Sequence, residues 1–456
     1  MSSLVRLFDR LSPRALHWLR WAGIVTLVAL LQRIGLYLIY GPVSYNDTGS
    51  YRRLAEAILA GWDRYDGTRV PGYPIFLAVF GSDRGVYAVQ LIIGLLTTLL
   101  FFYIGWRLSG RAWFGALAAL AHTLNLQQLF FEADLLSETL TTFLIASVLA
   151  GMIWLLAERE HQSASSPPWG VLLVAGLVGL AGGLAALTRP LFVFLPLWAA
   201  FCLLILRPAR RGVRWGAALT TGLVGMALVG AWVTYMHQHL NRWALTTMTG
   251  YHLVQHTGIF FEYVPDEYAA IRDTFLQYRD QRIAETGSPG NAIWDAIPAL
   301  TQASGLSFFD LSDQLARISI QLILRHPLLY LKNVAEGWVW FWKAPVYWSA
   351  EALGPTWLAK PAAALIAVER GLLVIANLAL VGGSLVLALA WKRVPRALKM
   401  NAFLWSSLSF IWLTSIAQTL LDHGDNPRFL VPVQTLVVVM VLWWGLQAVL
   451  ALRKEK

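Results

Sequence analysis

WLRWAGIVTLVALLQRIGLYLIY, residues 18–40, is an apolar run whose only charges are Arg20 and Arg33, and GPVSYNDTGSYRRLAEAILAG, residues 41–61, follows it at once. The first piece matches the roughly 20 residues needed to cross a hydrocarbon core of about 30 Å. It has a basic stretch before it and no small-residue cleavage site after a short apolar core, so it reads as a retained membrane helix. The second piece changes character. From Asp47 onward, Tyr51, Leu54, Ala55, Ile58 and Leu59 recur at helical spacing, Arg52, Arg53 and Glu56 take the other face, and Gly61 closes the pattern. This is an amphipathic helix suited to the membrane interface.

Outward from that stretch, span-length apolar runs recur at Val86 to Trp106, Trp113 to Phe130, Leu135 to Leu156, Val171 to Leu187, Leu191 to Leu206, Val213 to Met236, Ala363 to Trp391, Ala402 to Leu421 and Phe429 to Leu450. The reading is an all-α polytopic membrane protein of about ten transmembrane helices. Composition agrees: 57% of the 456 residues are hydrophobic and 14% charged, with a mean hydropathy of +0.55, more apolar than a soluble domain of this size sustains.

Basic residues collect in alternate connections: Arg6, Arg10, Arg14 and Arg20; Arg107 and Arg111; Arg207, Arg210, Arg211 and Arg214; Lys392, Arg393, Arg396 and Lys399; Arg453, Lys454 and Lys456. The positive-inside rule makes these cytoplasmic and puts both termini there. The net charge of +10 is thereby a matter of topology, and no nucleic-acid surface is called for. The polar stretch Gln162 to Pro168 is a cytoplasmic link, and no internal repeat of the kind that builds many transporters is visible.

Candidate chemistry therefore gathers on the outer side. Asp47 lies just beyond the first span, either as the N-cap of the interface helix or as a reactive carboxylate. Glu132, Asp134 and Glu138 form a second acidic turn, and Glu138 sits where a span begins, an expensive place for an ionisable group unless it is paired or lines a cavity. Oxygen ligation of a divalent cation by the Glu132 and Asp134 carboxylates is a weak alternative. Arg189 and Arg428 stand at the outer boundary against the positive-inside trend. Either they snorkel to lipid headgroups or they hold an anion, and guanidinium suits phosphate. His252 and His256 share a helix face at four-residue spacing, as packed side chains or metal ligands. Trp338, Trp340, Trp342 and Trp348 mark an interface belt or a sugar-stacking surface. Cys202 is the only cysteine, so no intramolecular disulfide forms.

Carboxylates and guanidiniums on one face fit transfer of a sugar from a lipid-linked phosphate. The leaving group is a stable anion that needs cations rather than a general acid, and one carboxylate can take the acceptor's proton. The rival reading, a lipid or small-solute transporter or flippase, would place its charges near mid-membrane. A scaffold with a degenerate site is the third.

The order of Asp47, the interface helix near Tyr51, Arg69-Val70-Pro71-Gly72-Tyr73-Pro74, Ser137-Glu138, Thr188-Arg189-Pro190, Arg325-His326-Pro327-Leu328-Leu329-Tyr330 and Pro427-Arg428-Phe429 with Pro432 resembles the GT-C superfamily of membrane glycosyltransferases. It is most similar to the bacterial branch of protein O-mannosyltransferase and aminoarabinose transferase relatives. The resemblance implies a GT-C bundle with interface helices and a mainly helical outer domain, divided as 1–236 (transmembrane module with the first outer loop), 237–360 (outer, periplasmic segment) and 361–456 (carboxy-terminal helices). It also implies an inner-membrane enzyme using a polyprenyl-phosphate-sugar donor and a glycan, glycolipid or protein acceptor, without a cofactor. Asp47 matches the family's catalytic base, Glu138 or Asp134 its second-turn acid, and Arg189 and Arg428 positions near the lipid phosphate. Tyr51, Arg69, Tyr73, His252 and His423 complete the candidate substrate-binding set. Two departures stand out: Asn46-Asp47 replaces the acidic pair of the protein O-mannosyltransferases, and the Trp-Trp-Asp signature of oligosaccharyltransferases is absent.

Overall fold

The computed structural model describes residues 12–157, 168–206, 211–343, 346–423 and 426–453. Arg6, Arg10, Arg207, Arg210, Lys454, Lys456 and most of the Gln162 to Pro168 link lie outside the described residues. Those described are helical, with no strand beyond two isolated bridges. Among the described residues, eight helices are long and apolar enough to cross a membrane: α1 (Pro13–Ile39), α4 (Asp83–Ser109), α7 (Glu138–Ala157), α8 (Pro168–Thr188), α10 (Arg211–Leu240), α16 (Ala359–Leu389), α18 (Ala402–Leu421) and α19 (Val431–Leu452). The short helices α2 (Asn46–Leu59) and α3 (Gly72–Phe80) fill the first connection.

The other two expected spans differ from the expectation. The run from Trp113 to Phe130 is not one helix but α5 (Ala112–Thr123) and α6 (Leu126–Phe131). Backbone polar groups freed by such a break must find partners inside a bilayer. Asn125 Oδ1 accepts the Gln128 N–H at 3.1 Å, Glu369 of α16 accepts the N–H groups of Leu126 and Gln127 at 2.9 and 3.4 Å, and Gln128 Nε2 donates to the Val431 carbonyl at 2.6 Å. The run beginning at Leu191 is a 3-10 turn, Pro190–Phe194, followed by α9 (Leu195–Leu206).

Small residues set the closest packing. Gly179 and Gly183, four apart on α8, face Gly225 of α10, where a Cβ on Gly183 or Gly225 would come within 2.8 Å of the facing carbonyl oxygen. Such close backbone approach gives van der Waals contact that lipid cannot replace. The interior charge of α1 is also matched: Arg33 is buried, bonded to Thr123 at 2.8 Å and paired with Glu132 at 2.5 Å.

The connections at one end of the bundle are pinned together. Val43 exchanges backbone bonds with the second turn, donating to the Ala133 carbonyl and accepting from Leu135, both at 2.9 Å. Gln90 of α4 donates to the Glu132 and Asp134 carbonyls at 3.0 and 2.8 Å. Residues 241–358 contribute α11 (Thr249–Thr257), α12 (Ala269–Thr286), α13 (Ala292–Ser304), α14 (Phe308–Arg325) and α15 (Pro327–Phe341). These helices bury their own core of Tyr251, Phe261, Phe275, Leu300, Leu311 and Leu315.

Candidate functional site

Asp47 is the second residue of α2, not its cap. Tyr45 precedes the helix, and Thr48 closes the first turn by accepting the Tyr45 N–H at 3.0 Å while its hydroxyl donates to the Leu135 carbonyl at 3.1 Å. The Asp47 carboxylate is free of capping and each oxygen meets a different arginine: Oδ1 lies 2.7 Å from Arg69 Nη2, and Oδ2 bonds Arg428 Nη2. Arg69 is steered by Ser50 Oγ at 3.3 Å and by the Tyr51 ring, 5.3 Å from its guanidinium.

Arg428 reaches the site from the 3-10 turn Pro427–Phe429 that opens α19. Its Nε lies 3.7 Å from Glu138 Oε1, the first residue of α7, and the same oxygen is 3.2 Å from Arg189 Nη1. Arg189 also donates to the Arg428 carbonyl at 3.4 Å and lies over the Phe429 ring at 5.6 Å. Charges therefore alternate along Arg69, Asp47, Arg428, Glu138, Arg189, three cations against two anions. The Asp47 side chain is 25% exposed and that of Glu138 1%, so the row runs from an open mouth to a closed floor. The residues belong to chain segments that come together only at this end of the bundle.

The electrostatics follow. Burial pushes the Asp47 pKa up, but the Arg69 and Arg428 guanidiniums outweigh it and hold the carboxyl at about 2. Asp134, fully buried beside the row, has no hydrogen-bond partner for either carboxylate oxygen among the described residues. Burial first, then the Glu138 charge, push its pKa well up against the pull of Arg428.

Other candidates fall elsewhere. Glu132 is taken out of the second-turn cluster by Arg33: a carboxylate with a buried guanidinium in reach pairs with it rather than face a desolvated site alone. Tyr73 is fully buried with its hydroxyl donating to Gln90 Oε1 at 2.9 Å, so it forms wall rather than open surface. Tyr51 packs edge-on against Tyr73 at 4.9 Å between ring centroids. His252 pairs with Asp422 at 3.3 Å, and His423 Nε2 lies 2.9 Å from Asn333 Oδ1, at the helices of residues 241–358 rather than in the charged row. His256 faces Asn333 as well, and no three His, Cys, Asp or Glu side chains converge on an ion among the described residues. Trp338 and Trp342 pack against Trp412 of α18, which assigns them to helix contact.

Tyr347 joins the site without any mark in the sequence. It lies within electrostatic reach of Arg428, Glu138, Asp134 and Asp47, with its ring against Tyr45 and Phe131 at 5.2 and 5.3 Å. Nothing local to residues 346–349 marks it, because its neighbours come from the first connection and the second turn. Close to Arg189 and Arg428 in the chain, an apolar groove of about 460 Å³ opens between α9 and α18, lined by Phe194, Leu197, Trp198, Phe201, Leu413 and Ala417.

Fold and site together define an all-α polytopic membrane protein with a partly buried row of alternating arginines and carboxylates at one end of its bundle. Among solved structures it is similar to ArnT from Cupriavidus metallidurans in the apo state, at 15% identity and a TM-score of 0.38 over 93% of this chain and 77% of that one. It is also similar to ArnT from Cupriavidus metallidurans bound to undecaprenyl phosphate, at 16% identity and a TM-score of 0.33 over 94% and 78%. No family model matches the chain. No curated protein matches it.

Proposed function

We propose that this chain is an inverting glycosyltransferase that moves one sugar from a polyprenyl-phosphate-linked donor to an acceptor hydroxyl on the outer face of the membrane. The observation that carries the reading is Arg428, one guanidinium shared between the two carboxylates Asp47 and Glu138 and flanked by Arg69 and Arg189. Cations outnumber anions in the row, so a phosphate completes it. The groove between α9 and α18 offers apolar cover for a prenyl chain. The basic connections support an outer position for the row, by the positive-inside rule.

In the reaction the acceptor oxygen attacks the anomeric carbon as Asp47 takes its proton, and the bond from that carbon to the phosphate oxygen breaks with its electron pair. The leaving polyprenyl phosphate gains a negative charge, which Arg428 and Arg189 stabilise. A single displacement inverts the anomer. A carboxylate held at about 2 is a poor base near neutral pH. Donor phosphate competes for Arg428, and the guanidinium it draws off leaves Asp47 more basic, so loading the donor activates the base. The site's charges crowd one end of the bundle, while the intramembrane pair Arg33 and Glu132 is closed on itself; a transporter has no comparable support.

Transfer of radiolabelled sugar from a polyprenyl-phosphate donor into membrane acceptors is the test. Asp47→Asn, which cannot take a proton, is expected to lower kcat by roughly 100- to 10,000-fold, with the acid limb of wild-type kcat lying at higher pH than that of kcat/KM. Equal transfer by wild type and variant removes Asp47 as the base, and limbs that coincide remove the donor-driven release.

A further inference from the structure

The connection from α18 to α19 carries Arg428 at its far end and is gripped by the outer helices at its near end. Tyr330 donates its hydroxyl to the Leu420 carbonyl at 2.7 Å, and His252 pairs with Asp422 at 3.3 Å. At Gly337 on α15 the backbone lies directly against the chain, because a Cβ there would fall on the His423 carbonyl oxygen. One turn earlier on the same helix, buried Asn333 ties two histidines together. Its Nδ2 donates to the His256 carbonyl at 3.0 Å and faces His256 Nδ1 at 3.3 Å, while Oδ1 lies 2.9 Å from His423 Nε2.

The donor and acceptor roles are determined. The amide nitrogen must face the His256 carbonyl, so Oδ1 accepts and His423 Nε2 carries the proton. Burial lowers the His256 pKa to about 4 against the pull of Asp422, so the ring is neutral and Nδ1 can accept. The proposed chemistry uses none of these contacts, yet Asn333 is almost fully buried with both ends of its amide engaged. A buried polar network is tolerated only when so satisfied.

We propose that Asn333 is a positioning residue for Arg428: from the outer helices it sets, through His423, the connection that delivers the guanidinium to Asp47 and Glu138. The inference rests on Arg428 as the phosphate-holding group of the proposed transferase.

The experiment uses the full chain in nanodiscs, with amide hydrogen exchange over residues 426–430 and affinity for polyprenyl phosphate as separate readouts. Asn333→Leu and His423→Leu are expected to speed exchange there and weaken polyprenyl phosphate binding roughly tenfold or more, since small misplacements are costly in such sites. His423→Gln, whose amide nitrogen replaces Nε2–H, should stay near wild type in both. Gly337→Ala should repeat the Asn333→Leu result by pushing the chain without removing a bond. Unchanged exchange in folded Asn333→Leu overturns the proposal. So does a His423→Gln that loses binding while Asn333→Leu keeps it, because His423 would then meet the ligand itself. Exchange that responds as expected in a protein that binds no polyprenyl phosphate keeps the positioning and rejects the transferase reading.

Discussion

Asp47 shows how one side chain can be spoken for twice. Its position in the first turn of α2 favours a negative charge through the helix dipole, but the bonds it makes are to Arg69 and Arg428. With a folded pKa of about 2 against an ordinary 3.8, it binds its proton more weakly folded than unfolded. Its contribution of about 2 kcal/mol is present above about pH 4 and is lost as pH falls toward 2. Thermal unfolding of wild type and Asp47→Asn should therefore differ at pH 6 and converge as pH falls through that window. A gap that stays constant shows that the Asp47 charge is not what the arginines hold. Sequence alone drew attention to Asp47, Glu138, Arg189 and Arg428 because charge at a membrane boundary is locally anomalous; nothing local says that Arg428 joins the two acids, being 381 residues from Asp47.

At the scale of elements, the break between α5 and α6 is the main departure from what periodicity leads one to expect. Hydropathy sums over a window and passes over Asn125, whereas the backbone there is satisfied by Asn125 Oδ1 and by Glu369 on a distant helix, which accept its N–H groups. The other end of α6 carries Glu132, its C-cap, into contact with Arg33. Arg33→Met alone leaves a buried carboxylate unpaired and should cost about 3–5 kcal/mol, while Arg33→Met with Glu132→Gln should recover most of that loss. Unfolding of the two variants in detergent checks it. A double variant no more stable than the single would mean that the pair is not the partner structure each charge needs.

For the whole molecule, α1 ends and α19 begins at the charged row, so the described chain ends lie at the opposite end of the bundle. Sidedness is the expectation that the basic connections raise, and it is open to labelling, because Cys202, the single cysteine, is buried. Arg64→Cys, in the first outer connection, should react with a membrane-impermeant maleimide in intact cells, and Arg111→Cys should react only after lysis. The reverse pattern would put the site on the cytoplasmic face and end the proposed use of an outer acceptor.

The all-α membrane architecture, most of the spans and the identity of the unusual boundary charges were legible from the sequence, because apolar length and charge placement act locally against the bilayer; two of the ten expected spans were not, being broken or short. Tertiary structure alone decided that Glu132 leaves the second acidic turn for Arg33, that Tyr73 is wall, that Tyr347 stands beside the acids and that Asn333 grips the connection to Arg428. Each of these is a choice of partner among residues far apart in the chain. Such choices are made by desolvation and geometry once the helices have packed, and no local pattern encodes them.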